Sequence, residues 1–302
     1  MKHQELFPAA TNFIQTRLER RRFLTQAGLL GLGAAAATIT LGGAKPAFAD
    51  SPLESAQETQ QSRDTVKEIF TAALIAEDLA TTFYYNGLIG KVIEDPNLAG
   101  PGGTATDVTS GGNAGNVNYL QAALTEEMAH ATLFRSLLGI PKSSSDPVQT
   151  FYFPMGSFDT LSAFTGLLDA LENAFIGAYL NAIQEFAAKS ASRRHGGGDD
   201  DGDDSKYTAE QLDYFAKVAA SIMGIEAEHR VLGRVISNSN PANNLAYEQT
   251  DGLNAVYNGP NSAVAALTPF LSPSTGPGYL LSTALANESK VSIPVTGNPP
   301  AF

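Results

Sequence analysis

The sequence predicts an all-α protein whose central part is a bundle of four long helices. In four segments of the 302-residue chain, apolar residues recur at steps of three and four, the period of an amphipathic helix. Stretches rich in Gly, Pro and polar residues separate these segments, and no segment forms a convincing strand. Helices of roughly 22 to 34 residues would be about 33 to 50 Å long, an ordinary length for a bundle.

The first two helices are predicted at 62–91 and at about 117–138, with a Gly-rich loop between them. Asn116 or Asn118 would cap the start of the second helix, because a short polar side chain can accept a hydrogen bond from the first free backbone N–H groups. Gly139 would end this helix, since glycine adopts the left-handed conformation common at helix C-termini.

The third and fourth helices are predicted at 157–190 and at about 208–237, and Thr208 with Gln211 forms a capping box at the start of the fourth. The connection 193–205 is too polar to order itself and is predicted to be a mobile loop. A calcium-binding loop is the alternative, but the spacing and closing Glu of an EF-hand are absent. Its aspartates are Asp199, Asp200, Asp201, Asp203 and Asp204.

Residues 1–49 are predicted to be an export signal that is absent from the mature protein. The arginines from Arg20 to Arg22 precede an uncharged stretch at 25–44, and 47–49 (Ala-Phe-Ala) gives a cleavage pattern of small residues. Paired arginines before a Gly-rich apolar stretch are typical of the bacterial Tat route, which exports folded proteins to the periplasm or beyond. A membrane-anchoring helix is the alternative, although the stretch is barely long enough. No other segment is apolar enough to span a membrane.

The rest of the domain plan follows from composition. Residues 50–61 are a polar linker, 62–237 hold the bundle, and 238–302 are a loop-rich C-terminal extension. The sequence leaves open whether this extension packs on the bundle or reaches a neighbouring subunit of a homo-oligomer. The net charge of −12 argues against a nucleic-acid partner, and the lack of cysteine excludes thiolate zinc and iron–sulfur sites.

Two short motifs carry the predicted chemistry. Glu127 and His130 lie three residues apart on the second helix, and Glu226 and His229 repeat this spacing on the fourth. Positions i and i+3 share a helix face, so each pair can bind one metal ion from one side.

The first and third helices each place one carboxylate, Glu77 and Glu172, in an apolar stripe. Burying an ionised carboxylate costs several kcal/mol unless a positive group meets it, and Lys and Arg are nearly absent from these stripes. A metal cation is the partner that fits. Each of these glutamates also precedes a tyrosine by seven residues, so the chain reads as two similar helix pairs.

Two lone Glu residues and two Glu-x-x-His motifs on alternate helices resemble the ferritin-like superfamily, over about 62–237. More narrowly, the chain is similar to exported ferritin-like proteins grouped with plant desiccation-related proteins. The resemblance implies a ferritin-like four-helix bundle that binds two iron or manganese ions. It implies that Glu77 and Glu172 are terminal ligands, that Glu127 and Glu226 bridge the ions, and that each histidine binds one ion.

For the polar residues next to these six positions, the sequence leaves more ordinary roles open. Asp169 either orients a histidine ring or favours its helix by charge. Tyr84 and Tyr179 are either electron donors at the site or core aromatics with satisfied hydroxyl groups. Three acids next to ligand positions point away from the ligand face and are predicted to be solvated: Asp78, Glu126 and Glu228.

The expected activity is redox chemistry toward dioxygen or peroxide, of the ferroxidase or catalase type. Carboxylate and imidazole ligands suit iron(II) and manganese(II), and a pair of such ions can take up electrons two at a time. Two alternatives stay open from the sequence. The chain would otherwise be a non-enzymatic desiccation- or stress-related protective protein with a structural or vestigial metal site, or an iron-storage cage.

Overall fold

The structure is a computed structural model, and it describes residues 64–195, 204–239, 242 and 266–293. The predicted signal (1–49), the linker (50–61) and residues 196–203 of the predicted mobile loop lie outside the described residues. Among the described residues, no helix has both the length and the apolar character that a membrane span requires.

The described part of the chain contains four long α-helices and one short one. They are α1 (Val66–Ile89), α2 (Ala114–Leu138), α3 (Leu161–Arg194), α4 (Ala209–Ile236) and α5 (Leu281–Asn287). α1 packs mainly on α2, and α3 packs mainly on α4, so the bundle consists of two helix pairs. The prediction of an all-α fold built on four long helices is confirmed.

Two predicted helix ends are confirmed by the local hydrogen bonds. Thr208 and Gln211 form a reciprocal capping box at the start of α4. Gly139 ends α2 with φ 69°, a left-handed conformation that glycine adopts without the steric cost of a Cβ atom.

Three predicted helix starts are wrong. α1 begins four residues later than expected, because Thr65 caps it with a reciprocal capping box. α2 begins three residues earlier than expected because Asn113, rather than Asn116 or Asn118, accepts the capping hydrogen bond from a backbone N–H. α3 begins four residues later than expected, because a turn that includes Ser157 comes first and Thr160 caps the helix.

Two clusters of buried apolar side chains fill the bundle, and the boundary between them crosses the middle of the helices. In one cluster Phe83 stacks on Phe164 with ring centroids 4.7 Å apart. In the other, the ring of Phe70 contacts three further rings, those of Phe134, Phe186 and Phe215. Polar side chains in the middle of the bundle are therefore enclosed by apolar packing at both ends.

The described part of the C-terminal extension packs on the bundle, a point that the sequence left open. Strand β2 (Gly278–Leu280) pairs antiparallel with β1 (Thr150–Tyr152), and α5 packs on α1. The expectation of no strands is wrong in this detail. Strands of three residues are too short to show the alternating pattern by which strands are recognised.

One residue of the predicted mobile loop is an ordered part of the core. Asp204 is 1 % exposed; one carboxylate oxygen accepts a hydrogen bond from the N–H of Val66 at 2.9 Å, and the other lies 2.8 Å from the buried Lys189 Nζ. The prediction was wrong for this aspartate because its cation is 15 residues away in the sequence. The ion pair joins the α3–α4 connection to α3, and the hydrogen bond joins it to the first turn of α1.

Replacement of Asp204 by Ala should destabilise the protein strongly, because it leaves Lys189 as an uncompensated buried charge. Breaking a buried pair in this way costs about 3–5 kcal/mol. Thermal and urea unfolding of the metal-free protein measure the effect. The matched control is Asp213→Ala, which removes an exposed pair with Arg194 and should change stability far less. Equal effects of the two substitutions would contradict this account of Asp204.

Candidate metal centre

Six side chains from the four long helices meet in the middle of the bundle. They form two overlapping groups, Glu77–Glu127–His130–Glu226 and Glu127–Glu172–Glu226–His229, whose donor atoms lie within 4.8 Å of one another in each group. The four carboxylates are at most 2 % exposed. All six residues that the sequence singled out as ligands are thus brought together.

The two shared glutamates are aligned to connect the two groups. Nδ1 of His130 lies 3.7 Å from Oε2 of Glu127 and 3.5 Å from Oε1 of Glu226. Nδ1 of His229 lies 3.0 Å from the other oxygen of Glu127 and 3.6 Å from the other oxygen of Glu226. Each shared carboxylate therefore presents one oxygen to each histidine, which is the arrangement that two bridged cations require.

Several of these buried atoms have no hydrogen-bond partner among the described residues. They are both carboxylate oxygens of Glu127 and of Glu226, Oε2 of Glu172 and Nδ1 of His229. Buried polar atoms are rarely left unsatisfied, so such a set at one point requires an explanation. Oxygen and imidazole donors without cysteine fit a hard or borderline divalent cation, and the cluster can hold metal ions.

Glu126 fixes the orientation of the His229 ring, a contact that the sequence analysis missed. Oε2 of Glu126 lies 2.8 Å from Nε2 of His229. A carboxylate only accepts hydrogen bonds, so Nε2 carries a proton, and Nδ1 is the ring atom that faces the cluster. The prediction that Glu126 is solvated is wrong in this respect, although its side chain stays 45 % exposed. Glu228 is exposed, as predicted.

The two histidines differ in their surroundings. The His130 side chain is 13 % exposed, whereas that of His229 is 1 % exposed. On α4, the position that corresponds to Glu126 by the Glu-x-x-His repeat is Ile225, which offers no acceptor to His130. The approximate twofold symmetry between the helix pairs therefore does not extend to the surroundings of the two histidines, and the His130 side is the more open to solvent.

Two buried tyrosines hold Glu172 and Glu77 across the bundle. The Tyr84 hydroxyl on α1 donates to Glu172 on α3, and the Tyr179 hydroxyl on α3 donates to Glu77 on α1. Burial, together with the neighbouring glutamates, raises the pKa of both hydroxyl groups well above the ordinary value, so both remain protonated donors. Both are core aromatics with satisfied hydroxyl groups, and both also line the cluster.

Burial governs the protonation of the cluster. Desolvation raises the pKa of Glu127, Glu172 and Glu226 above the ordinary value, and repulsion from a neighbouring glutamate adds to this effect in each case. Burial lowers the pKa of His130, but the adjacent Glu77 and Glu127 outweigh it and raise the pKa to about 11. Without a cation, the folded cluster therefore retains protons at neutral pH.

Asp78, one residue after Glu77, was predicted to be solvated, and this prediction is wrong. Asp78 is 0 % exposed, and Nη2 of Arg135 donates to it at 2.6 Å while Nε of the same guanidinium donates to Asp146 at 2.7 Å. Burial and the nearby Asp146 raise the pKa of Asp78 well above its ordinary value. The guanidinium joins α1, α2 and the connection after α2.

Asp169 binds an arginine in the described structure. Nε of Arg234 donates to Asp169 at 2.9 Å, and Nδ2 of Asn173 donates to it at 3.2 Å. The carboxylate that orients a histidine ring is Glu126 instead. Sequence reasoning found Asp169 by its position one turn before Glu172, but helix position alone did not identify its partner on α4.

Comparison with known protein families agrees with this geometry. Residues 65–197 match the family model of the ferritin-like domain, a range that covers α1 to α3 with Glu77, Glu127, His130 and Glu172. Comparison with curated proteins and with solved structures gives no match. The match ends before α4, so the positions of Glu226 and His229 at the centre rest on the structure. Over the matched residues the fold is that of a ferritin-like domain, within an all-α helical bundle, and this supports a relationship to the ferritin-like superfamily.

Proposed function

We propose that this chain binds a dinuclear iron or manganese centre that reacts with dioxygen or peroxide. The observation that carries the proposal is that Glu127 and Glu226 each turn one oxygen toward His130 and the other toward His229. Both oxygens of each of these glutamates are buried without a hydrogen bond among the described residues, and both glutamates belong to each of the two groups of donor atoms.

The six side chains would divide between two cations. Glu77 and His130 would bind one cation, Glu172 and His229 would bind the other, and Glu127 and Glu226 would bind both. Four carboxylates balance the charge of two divalent ions, which offsets the cost of burying four negative groups together. When bound, such an ion pair supplies two-electron redox chemistry toward small oxygen species.

The surrounding residues hold the ligands and exclude water. Tyr84 and Tyr179 each donate one hydrogen bond to a terminal glutamate, leaving the second oxygen of that carboxylate for a cation. Glu126 keeps the His229 ring turned so that Nδ1 faces the centre. The apolar clusters enclose the site at both ends, so the partly exposed His130 marks the side open to small molecules.

The proposal includes export by the Tat route. The supporting feature is the arginine cluster followed by the Gly-rich apolar stretch at 25–44. Because this route carries folded proteins, the bundle would acquire its metal ions before leaving the cytoplasm. The metal content of protein isolated from the periplasm or culture medium, compared with the cytoplasmic precursor, tests this part.

An oxygen electrode and a peroxide assay test the activity directly. Iron-loaded protein should consume dioxygen in the presence of iron(II), or it should remove peroxide. Manganese-loaded protein should evolve oxygen from peroxide. Glu127→Ala should abolish whichever activity is found. Two bound metal ions without turnover would instead support a protective protein with a structural site. A large cage that holds many iron atoms per chain would instead support iron storage.

The purified chain should bind two equivalents of iron or manganese. The double change His130→Ala plus His229→Ala should abolish this binding, because it removes a ligand from each group. Elemental analysis after removal of free metal measures the stoichiometry. Glu228→Ala is the matched control, since this acid lies beside His229 in sequence but is exposed. Two retained equivalents in the double variant would contradict the proposed site.

Replacement of Glu126 by Ala should weaken metal binding without removing a ligand. Loss of the carboxylate that orients a metal-binding histidine typically costs about 10–100-fold in affinity. Competition titration with a chelator measures the change, again with Glu228→Ala as the control. An unchanged affinity would show that the contact between Glu126 and Nε2 of His229 does not position the ring.

Metal binding should stabilise the protein more at pH 7.5 than at pH 5.5. The carboxyl groups with a raised pKa keep their protons at pH values above their ordinary pKa of 4.5. His130, whose ordinary pKa is 6.5, keeps its proton up to about pH 11. The folded metal-free protein thus holds more protons than the unfolded chain, so these groups make it less stable as pH rises. Metal ions must displace the same protons, so their affinity rises with pH.

The melting temperature with and without manganese(II) at the two pH values measures this difference. Subtracting the metal-free value at each pH removes the contribution of groups outside the centre. A metal-induced increase that is larger at pH 5.5 would contradict the assignment of these groups as ligands.

A further inference from the structure

The hydroxyl of Thr81 is unlike the other threonine hydroxyls in the four long helices. Five threonines in α1, α2 and α3 donate their hydroxyl to the carbonyl four residues earlier: Thr71, Thr82, Thr125, Thr132 and Thr165. Thr81 is 0 % exposed, and its Oγ1 has no hydrogen-bond partner among the described residues. A buried hydroxyl without a partner is unfavourable, so its presence calls for an explanation.

Thr81 lies between two residues that belong to the metal centre. It follows Glu77 by one helical turn and precedes Tyr84 by three residues, so all three occupy one face of α1. Helical side chains tilt toward the N-terminus, which places the short Thr81 side chain over the turn that carries Glu77. Glu77 and Tyr84 both direct their polar ends into the cluster.

Packing alone does not require a hydroxyl at this position. By the relation between the helix pairs, Glu172 corresponds to Glu77, and the residue four positions later is the buried Ile176. A β-branched apolar side chain thus occupies the equivalent place on α3. The two helix pairs therefore differ at this position, which carries a hydroxyl on α1 and an apolar side chain on α3.

We propose that Thr81 Oγ1 donates a hydrogen bond to a small exogenous anion, of the class of hydroxide or the peroxide anion, bound to the metal centre on its α1 side. The proposal rests on the proposed dinuclear centre and adds the residue that recognises its small ligand. The unsatisfied hydroxyl would gain its partner only when that ligand is present, which explains why none of the described side chains satisfies it.

Azide binding to the iron-loaded, oxidised full chain tests the proposal, with the charge-transfer absorption of bound azide as the signal. Thr81→Val keeps the shape and removes the donor, so the azide Kd should rise about tenfold or more. Thr81→Ser should retain tight binding. Thr82→Val is the matched control, because Thr82 is equally buried but its hydroxyl is bonded to the carbonyl of Asp78.

A second measurement separates ligand recognition from folding. Thr81→Val should raise the melting temperature of the metal-free protein, because it removes an unsatisfied buried hydroxyl, and Thr82→Val should not. Elemental analysis should give two metal ions for each variant.

The outcomes distinguish the two proposals. Wild-type protein that binds no metal contradicts the dinuclear centre, and the role of Thr81 falls with it. Two bound ions with equal azide affinity in wild type and Thr81→Val overturn the role of Thr81 alone. The same conclusion follows if the metal-loaded wild type binds no azide.

Discussion

Four carboxylates buried together in the middle of a helical bundle are the constraint on which the rest of this structure depends. Glu77, Glu127, Glu172 and Glu226 are each at most 2 % exposed. Mutual repulsion and the loss of hydration make such a cluster strongly unfavourable when ionised, unless positive charge lies among them. In the metal-free chain, bound protons and the two imidazoles balance part of this negative charge. Two divalent cations would balance it fully.

The packing of the bundle restricts the movement of the six clustered side chains. Apolar clusters lie on both sides of the centre, and each tyrosine ties a terminal glutamate to the opposite helix pair. Buried ion pairs hold the connections between helices in place. Lys189 pairs with Asp204 in the α3–α4 connection, and Arg135 pairs with Asp78 and Asp146. The positions of the six side chains are therefore set by the fold without a cation, which would lower the ordering cost of binding one.

The six clustered side chains could be predicted because their signal is local. Two Glu-x-x-His pairs at helical spacing, with a lone glutamate in each of the other two apolar stripes, identify four helix faces that must meet. The errors at the site concern residues whose partners are distant in sequence. Asp78 bonds to Arg135, 57 residues away, and Glu126 bonds to His229, 103 residues away. Helix periodicity indicates which face a residue occupies but not which charged group lies opposite, so both acids were assigned to solvent.

X-ray diffraction from crystals grown with manganese(II), recorded for anomalous scattering, tests the central claim most directly. The account predicts two anomalous peaks about 3.5–4 Å apart, one beside His130 and the other beside His229, with Glu127 and Glu226 bound to both. No peak at this point, or a single ion held by one of the two groups, would contradict it.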